Sequence, residues 1–324
     1  MRLALDELPS REIVNFDALT YAGNLESLEG LDDTRHRFVK GNICDRQAVL
    51  AALDSKTDAI INFAAESHVD RSIHSAQEFI TTNVLGTQVL LDAARECGVP
   101  RFVQISTDEV MGSLPENDGS FFTEASPFQP NSPYAASKAA AEHLVRAAHH
   151  TFGLDTVITR CGNNYGPRQF PEKFLPLMLA NALNDEPIPV YGDGLNVRDW
   201  IYVEDHCRAI LSLLQRGSSG GTYNIGARNQ RRNLDVAHSV LEALGKPPSL
   251  IRFVKDRPGH DRRYAIDPTR IEIELSWRPL ETWESGLRKT VDWYRANGAW
   301  LARVRSGAYR EYYSRHYGPE ASVR

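Results

Sequence analysis

The sequence is poor in cysteine and contains no long apolar run, and each feature excludes a class of protein. Its four cysteines lie far apart, with no C-x-x-C spacing, at Cys44, Cys97, Cys161 and Cys207. We therefore expect reduced, buried thiols in a cytoplasmic protein rather than a disulfide framework. A membrane-spanning helix needs about 18 consecutive apolar residues, and no such run occurs. The first apolar stretch contains Asp6 and Glu7, which is atypical of a secretory signal peptide.

Metal-ligand patterns and excess positive charge are absent as well. No H-x-x-x-H or clustered cysteines occur, and His149 and His150 are adjacent on a predicted helix, so we expect no metal site. Lysine and arginine number 37 against 42 aspartates and glutamates, a net charge of −5, which argues against a nucleic-acid partner. With 324 residues and 42% apolar content, the chain is long enough for about two globular domains.

The first half of the chain alternates short apolar runs with amphipathic stretches. The runs predict buried strands over 12–16, 58–64, 101–106 and 155–160. The amphipathic stretches predict helices over 46–55, 76–97 and 132–153. In the last helix, Ser132 suits the N-cap, Pro133 the first position and Gly153 the end. This strand–helix–strand repetition predicts an α/β fold with a doubly wound parallel sheet of the Rossmann type.

The pattern changes after Tyr165, where proline and glycine become frequent and the elements shorter. We predict a dinucleotide-binding domain over 1–165 and a smaller substrate-binding domain over 166–316, followed by a tail over 317–324. Part of 198–229 is expected to return to the first domain. The segment 281–304 predicts a helix that ends near Gly298, and its pattern also allows a continuation beyond that residue.

Polar residues follow successive predicted strands, at the sheet edge where parallel α/β folds bind ligands. Asp17 follows the first strand, Asn42 and Ile43 follow the next, and the segments 64–67 and 106–109 follow the two after that. A carboxylate at Asp17 suits both ribose hydroxyls of NAD and repels a 2′-phosphate. An aspartate after a strand is also a common turn or cap residue, so Asp17 alone does not decide between them.

A helix-spaced pair, Tyr134 and Lys138, predicts a general base. The two side chains share one helix face, and an ammonium beside a phenol lowers its pKa. Such pairs arise by chance on surface helices, but Thr107 at a strand end 27 residues before Tyr134 favours the catalytic interpretation. Asp108 and Glu109 repel each other, so one can keep a proton while the other is ionised. A solvated or helix-capping acidic pair is the alternative.

From 13 to the last helix, the chain resembles the dTDP-glucose 4,6-dehydratases of the extended short-chain dehydrogenase/reductase superfamily. The matching motifs are DALTYAGNL (17–25), NFAAESHVDRSI (62–73), TNVLGTQVLLDAA (82–94), ISTDEV (105–110), SPYAASKAA (132–140), NNYGPRQFPEKFLP (163–176), PVYGDGLNVRDWIYVEDHCRAI (189–210) and DRPGHDRRYAID (256–267). The TDE, NNYG and DRPGHDRRY motifs are much more specific than the fold.

The resemblance implies a redox-neutral dehydration of dTDP-glucose that uses NAD as a recycled cofactor. Tyr134 would take the proton from the glucose 4-hydroxyl, and Lys138 would lower its pKa and hold the nicotinamide ribose. Thr107 would orient the sugar hydroxyl. Glu109 would remove the proton from C5 while Asp108 protonates the departing 6-hydroxyl. The products would be dTDP-4-dehydro-6-deoxyglucose and water.

The resemblance also implies the binding residues and the assembly. The cofactor-binding set is Asp17, Leu19, Thr20, Asn42, Ile43, Ala64, Ala65, Glu66, Ser67, Thr82, Tyr134, Lys138 and Asn164. The substrate-binding set is Ser67, Thr107, Asn163, Lys173, Phe174, Pro189, Tyr191, Arg198, Asn233, Asp256, Arg257 and His260. For Arg257, Arg262 and Arg263, a solvated basic loop is the alternative. The family implies a homodimer joined by a four-helix bundle of the helices 76–97 and 132–153.

The sequence departs from the family in one segment and at three positions. Family members begin with a strand and a G-x-x-G-x-x-G turn that binds the pyrophosphate, and the sequence contains no such turn. We expect that strand to lie between IVNF and FVQIS, and we favour a start inside a longer reading frame over a truncated form unable to hold NAD. Met111 replaces a usual tyrosine, Gly162 a usual serine and Asn42 a usual aspartate, which we expect to tune efficiency.

Two other functions compete with the dehydratase. A nucleotide-sugar 4-epimerase or a UDP-glucuronate decarboxylase also oxidises C4, but neither needs the Asp108–Glu109 pair. A non-catalytic structural or regulatory subunit is compatible with the missing glycine turn, although the catalytic set is complete. The preference for dTDP over UDP stays open.

Overall fold

The computed structural model describes residues 1–116 and 119–306 and confirms the α/β class with parallel sheets. The strands are β1 (Ile13–Asp17), β2 (His36–Lys40), β3 (Ala59–Asn62), β4 (Arg101–Thr107), β5 (Asp155–Cys161), β6 (Asn163–Tyr165), β7 (Ile188–Tyr191), β8 (Val197–Tyr202), β9 (Gly221–Ile225), β10 (Gln230–Arg232) and β11 (Ile251–Val254). The helices are α1 (Arg2–Glu7), α2 (Arg46–Ala52), α3 (Val69–His74), α4 (Gln77–Phe79), α5 (Thr87–Glu96), α6 (Pro133–Phe152), α7 (Phe174–Leu183), α8 (Val203–Arg216), α9 (Asn233–Leu244), α10 (Thr269–Leu275), α11 (Trp283–Ala296) and α12 (Gly298–Arg305).

A four-stranded parallel sheet, ordered β3–β4–β5–β9, forms the centre of the first half. Successive side chains of a strand point to opposite faces. Accordingly, Phe102 packs with α5 and α6, whereas its neighbour Val103 packs with α8 and α10. Helices on both faces make the sheet doubly wound, as the sequence predicts. The carboxyl ends of β4 and β5 meet at Thr107 and Cys161, which are direct partners in the ladder.

Strands β1 and β2 pair with each other as a separate parallel sheet. Our placement of a strand between IVNF and FVQIS was wrong, because both edges of the FVQIS strand, β4, are already hydrogen-bonded to β3 and β5. Strand β3 is the edge strand on this side of the four-stranded sheet, so a strand beside β1 can border β3 but not β4. Arg11 and Asp58, which just precede β1 and β3, form an ion pair of 2.6 Å.

The second half packs around an aromatic cluster. Two small sheets, β10–β8–β6 and β11–β7, enclose it with α7, α9, α11 and α12. Tyr165, Trp200 and Trp283 form its centre, with ring centroids 5.1 to 6.2 Å apart. Strand β9 lies in the first sheet beside β5, within the segment expected to return there. The division at 165 stays a prediction, and the part of it beyond 306 lies outside the described residues.

Helix α6 has the ends that its sequence predicts. The Ser132 side chain accepts a hydrogen bond of 3.1 Å from the Ala135 amide, and Gly153 ends the helix in the left-handed conformation with φ 70°. The predicted helix 76–97 is present, but its middle, Ile80–Gly86, is π-helical between α4 and α5. Segments of this kind often occur at functional sites. The sequence pattern did not distinguish this turn from an ordinary α-helix.

No helix among the described residues is both long and apolar enough to cross a membrane. The helix predicted to end near Gly298 is α11, which ends at Ala296, and its continuation is a separate helix, α12, that begins at Gly298. All four cysteines are free thiols.

Candidate active site

The acidic pair lies where β4 ends, at the carboxyl edge of the central sheet. The chain turns from Thr107 into a short 3-10 helix, Asp108–Met111. The Thr107 hydroxyl accepts a hydrogen bond of 3.3 Å from the Glu109 amide and donates one of 3.3 Å to Asp108 Oδ1. Asp108 is buried, and its Oδ2 has no hydrogen-bond partner among the described residues. Thr107 therefore holds both acids against the sheet edge.

The two acids differ in their surroundings. Burial, together with the neighbouring Glu109, raises the pKa of Asp108 well above its usual range, so this carboxyl keeps its proton. Burial also raises the pKa of Glu109, but the cations Arg257, Arg198 and Lys173 oppose that effect. A carboxyl that keeps its proton more readily, next to one whose ionised form is stabilised by three cations, can supply an acid and a base in one site.

Tyr134 and Lys138 occupy consecutive turns of the buried face of α6. The Tyr134 ring packs edge-on against Phe79, with centroids 6.3 Å apart. The Lys138 ammonium donates a hydrogen bond of 2.6 Å to the carbonyl oxygen of Ile105 in β4. This bond joins the helix that carries the tyrosine to the strand that leads to the acids.

In this structure the pKa of Tyr134 is determined chiefly by burial, and the expected lowering of that pKa by Lys138 stays a prediction. Burial, followed by the Glu109 carboxylate, raises the pKa of Tyr134 well above its ordinary value, and the Thr107 side chain opposes this with a hydrogen bond. The Lys138 ammonium is bonded to the Ile105 carbonyl in this structure. Burial also lowers the pKa of Lys138 itself, to about 8.

The predicted adenosine-binding residues follow β1 and β2. Asp17 Oδ1 accepts a hydrogen bond of 2.7 Å from the Leu19 amide, and Leu19 has a positive φ of 50°. This is the turn geometry that was the alternative interpretation of Asp17, and it also leaves the second carboxylate oxygen for a ligand. Thr20 lies in the same loop. Asn42 Oδ1 accepts a hydrogen bond of 2.9 Å from the Cys44 amide, and Ile43 is buried.

The loop after β3 contains the predicted cofactor residues Ala64, Ala65, Glu66 and Ser67, and it is held by a residue that sequence analysis missed. Asn83, in the π-helical segment beside Thr82, accepts a hydrogen bond of 2.8 Å from the Glu66 amide. Its amide nitrogen donates to the Glu66 carbonyl at 2.9 Å and to the Ser137 hydroxyl at 2.8 Å. Asn83 thus connects this loop to α6, and its presence in the TNVLGTQ motif was the available signal.

Besides Asp108 Oδ2, two oxygens on β4 and β6 are buried without a hydrogen-bond partner among the described residues. They are Ser106 Oγ at the end of β4 and Asn164 Oδ1 in β6. The Asn164 nitrogen donates to the Gly162 carbonyl at 3.3 Å, which fixes the amide with its oxygen unpaired. Buried polar atoms normally find a partner, so these two mark a place for a polar ligand.

Three of the predicted substrate residues are cations from separate segments of the second half. Lys173 Nζ donates a hydrogen bond of 2.5 Å to the Ser67 carbonyl. Arg198 Nη2 donates one of 2.9 Å to the Asp261 carbonyl, and its guanidinium lies 4.1 Å from the centre of the Tyr264 ring. Arg257 forms an ion pair of 3.4 Å with Asp70. These three cations all act on Glu109, so they surround the same site.

The other substrate residues form the walls of this half. Phe174 stacks on Trp200, Pro189 lies in the β7–β11 ladder, and Asn163 pairs with Trp200 in β6–β8. Asn233 begins α9, with its Oδ1 buried and unpartnered among the described residues. His260 Nδ1 lies 2.6 Å from Asp256 Oδ1, and burial lowers the pKa of His260 to about 4.

The basic segment 256–263 is partly a solvated loop, which was the alternative interpretation. Arg262 is half-buried and bonds two exposed acids, Asp193 and Glu116. Arg263 is buried and donates a hydrogen bond of 3.0 Å to the Ser120 carbonyl, so its role is structural. Arg257 is the arginine of this segment that acts on Glu109. Sequence analysis did not single out Asp70, Asp261 or Tyr264, although all three lie in the quoted motifs.

Two of the departures from the family have physical consequences. Met111 is buried, with its sulfur 3.6 Å from Arg160 Nη1, and Arg160 forms a buried ion pair of 2.9 Å with Glu142 on α6. At Gly162, a Cβ atom would lie 2.5 Å from the Asp199 carbonyl oxygen. Glycine therefore permits the close approach of the chain to β8 in this protein.

Comparison with known proteins gives consistent matches over most of the chain. The family model described as GDP-mannose 4,6 dehydratase matches residues 3–290. A dTDP-glucose 4,6-dehydratase of Xanthomonas campestris pv. campestris is 51% identical over 318 residues, covering 92% of this chain and 90% of that protein.

Solved structures resemble the fold just as extensively. The crystal structure of DesIV, a dTDP-glucose 4,6-dehydratase from Streptomyces venezuelae with NAD and TYD bound, has a TM-score of 0.89 at 48% identity and covers 93% of this chain and 92% of that one. A UDP-glucose 4-epimerase from Thermus thermophilus, in complex with NAD, has a TM-score of 0.84 at 31% identity, with 90% and 94% covered. The epimerase shares the architecture at markedly lower identity than the dehydratase.

Proposed function

The chain belongs to the dTDP-glucose 4,6-dehydratase family, and from this premise we propose that its site converts dTDP-glucose to dTDP-4-dehydro-6-deoxyglucose and water. One observation carries the assignment of roles: two adjacent carboxyls lie at the end of β4, burial raises the pKa of both, and that of Asp108 rises well above its usual range while three cations oppose the rise at Glu109. Elimination of water from neighbouring carbons requires a base at one and an acid at the other.

NAD is the cofactor, and the residues present fit it. The unpaired oxygens of Ser106 and Asn164 offer acceptors at the sheet edge, Lys138 offers a cation beside them, and Asp17 offers a carboxylate at the end of β1. Asp17, Leu19, Thr20, Asn42 and Ile43 would hold the adenosine. The loop 64–67 and Thr82 would line the cleft. When bound, NAD⁺ supplies the acceptor and then the donor of a hydride.

Tyr134 takes the proton of the sugar 4-hydroxyl in this proposal. Its phenol has a raised pKa, so the unassisted group is a weak acid and a strong base once ionised. Lys138 is in place to bind the nicotinamide ribose after leaving the Ile105 carbonyl. Thr107 hydrogen-bonds the phenol side chain and orients the sugar hydroxyl.

The acid pair performs the second proton transfer. Glu109, which faces three cations, removes the proton from C5, because oxidation at C4 acidifies that position. Asp108, buried and protonated, delivers its proton to the departing 6-hydroxyl. Glu109 then returns its proton to C5, and Asp108 regains a proton equivalent to the one that Tyr134 took from the 4-hydroxyl, so the enzyme ends the cycle unchanged.

The substrate diphosphate binds among the cations of the second half. Arginine recognises phosphate oxygens with two parallel hydrogen bonds, and lysine does so as a point charge. Lys173, Arg198 and Arg257 are buried or half-buried and come from three separate segments. The enclosure of the nucleotide is completed by Asn163, Phe174, Pro189, Tyr191, Asn233, Asp256 and His260. The sugar contacts Ser67 and Thr107.

A homodimer completes the proposal. Ile80 and Leu85, on the π-helical segment, are 57% and 51% exposed. Residues five apart in such a segment lie on nearly the same side, so the two side chains form one apolar strip suited to a partner helix.

The four free thiols support a place in the cytoplasm.

Replacement of Glu109 by glutamine tests the assignment. The variant keeps the shape of the side chain but has no base, so dehydration of dTDP-glucose should stop while oxidation at C4 stays detectable as reduced NAD. Mass spectrometry of the sugar nucleotide measures the first and absorbance the second. Full turnover by Glu109→Gln would refute the proposed mechanism. Glu78→Gln, on α4, is the matched control and should turn over normally.

A further inference from the structure

Three segments of the substrate-binding half converge on one short segment of the other half. Lys173, which precedes α7, donates a hydrogen bond of 2.5 Å to the Ser67 carbonyl. Tyr191, at the end of β7, donates its hydroxyl proton to Asp70 Oδ2 at 2.8 Å. Arg257, which follows β11, approaches Asp70 Oδ1 at 3.4 Å. The segment 67–70 is thus the common attachment point of three residues expected to contact substrate.

Asp70 is the centre of this arrangement. It is 9% exposed, and its two carboxylate oxygens receive a phenol and a guanidinium from different segments. A buried carboxylate is costly unless it is paired, and a buried guanidinium has the same requirement. Asp70 therefore provides the counter-charge that allows Arg257 to stay inside the site, and in agreement with this it raises the pKa of Arg257.

The carboxylate of Asp70 cannot itself bind a diphosphate, because the two charges repel. Any effect on substrate must act through the groups that it holds. A binding site whose side chains are already in place loses less conformational freedom when the ligand arrives. A phenol and a guanidinium held by one carboxylate meet this condition.

We propose that Asp70 is a positioning residue that fixes Tyr191 and Arg257 for the diphosphate of the sugar nucleotide. The proposal rests on the proposed function, since the roles of Tyr191 and Arg257 derive from it. It adds a residue from the dinucleotide-binding half to the determinants of substrate affinity. Asp70 acts on binding and not on the chemical steps, which take place at Tyr134, Asp108 and Glu109.

Asp70→Asn tests the proposal because it removes the charge and keeps the size. We expect the KM for dTDP-glucose to rise about tenfold, the effect of a lost hydrogen bond to a charged group, while kcat changes by less than about threefold. Calorimetric titration with dTDP should show the same loss of affinity, and this readout does not depend on turnover. A merely structural role would lower the amount of folded enzyme without separating KM from kcat.

Two further variants make the result unambiguous. Tyr191→Phe removes the phenol from the other side of the same bond, so it tests the proposal even if Asp70→Asn fails to fold. If the bond links the two residues, the double variant should be less impaired than the sum of the single ones. Asp185→Asn, at an exposed acid paired with Lys246, is the matched control and should leave both constants unchanged.

An unchanged or lower KM in Asp70→Asn would overturn the proposal. A lower KM would mean that the carboxylate mainly repels the diphosphate. Wild-type protein that binds dTDP but does not dehydrate dTDP-glucose would contradict the proposed function and leave the positioning role intact. If the wild type dehydrates dTDP-glucose and the Asp70 and Tyr191 variants behave like it, the proposed function stands and the positioning role is contradicted.

Discussion

The ammonium of Lys138 lies 2.6 Å from the carbonyl oxygen of Ile105, and through this bond the tyrosine helix is attached to the strand that ends in the acid pair. Lys138 is buried, one helical turn after Tyr134. This contact between α6 and β4 therefore joins the two elements that carry the proposed chemistry. A lysine that binds a carbonyl is also ready to exchange it for a ligand hydroxyl.

Lys138 makes stability depend on alkaline pH. Its pKa is lowered from 10.5 to about 8 in the folded protein, so between these values the unfolded chain binds the additional proton and stability rises with pH. Below pH 8 Lys138 is charged in both the folded and the unfolded protein, so folding bears the full free-energy cost of burying the ammonium. Relative to Lys138→Met, the free energy of unfolding of the wild type should increase by about 3 kcal/mol across this window. Urea unfolding at several pH values measures it, and parallel curves for the two proteins would contradict it.

His206 makes stability depend on acidic pH. It is buried in α8, and burial lowers its pKa from 6.5 to about 4. Below pH 6.5 the unfolded chain takes up a proton that the folded protein refuses, so stability falls as the pH drops towards 4. His206→Gln should reduce this loss by about 3 kcal/mol, as followed by denaturant unfolding.

The exposed His238 on α9 supplies the control for this measurement. His238→Gln removes a histidine that folding does not bury, and its acid dependence should follow that of the wild type. Burial also lowers the pKa of His68 to about 3 and that of His260 to about 4, so these two histidines also destabilise the folded protein as the pH falls below 6.5. A residual slope should therefore persist in His206→Gln, and an unaltered slope would exclude His206 as a contributor.

The Thr107 hydroxyl should be needed for turnover because it contacts both acids. Thr107→Val keeps the shape and removes the hydroxyl, so we expect kcat to fall by about 10 to 100-fold. Thr107→Ser keeps the hydroxyl and should stay within a few-fold of wild type. Steady-state rates of dTDP-glucose dehydration measure both. Equal rates for the valine and serine variants would show that the hydroxyl has no part in catalysis.

Much of this site could be predicted from local sequence. The strand ends after β1 and β4, the caps of α6 and the Tyr134–Lys138 spacing are determined within a few residues, and the structure has them where they were expected. The direction of the Lys138 ammonium could not be predicted in this way, because it depends on a carbonyl 33 residues earlier in a neighbouring strand. The pairing of β3 with β4 could not be predicted from local sequence either, because the order of strands in a sheet depends on contacts between distant segments.

Contacts between distant segments account for the rest. Asp70 meets Tyr191 across 121 residues and Arg257 across 187, so no spacing rule relates them. The π-helical segment Ile80–Gly86 has the same apolar pattern as an α-helix, so the sequence does not reveal it. Within this segment, Asn83 bonds the distant loop that contains Glu66. The family motifs contain both Asp70 and Asn83, but only the folded structure shows which residues they contact.

The most direct test of the account uses dTDP-glucose labelled with deuterium at C4. We predict that the protein, supplied with NAD⁺, forms a product that has lost one water and carries the deuterium at C6, with no net accumulation of reduced cofactor. Mass spectrometry and NMR of the product measure water loss and label position together. Recovery of unchanged substrate, or loss of the deuterium from the sugar into the reduced cofactor, would contradict the account.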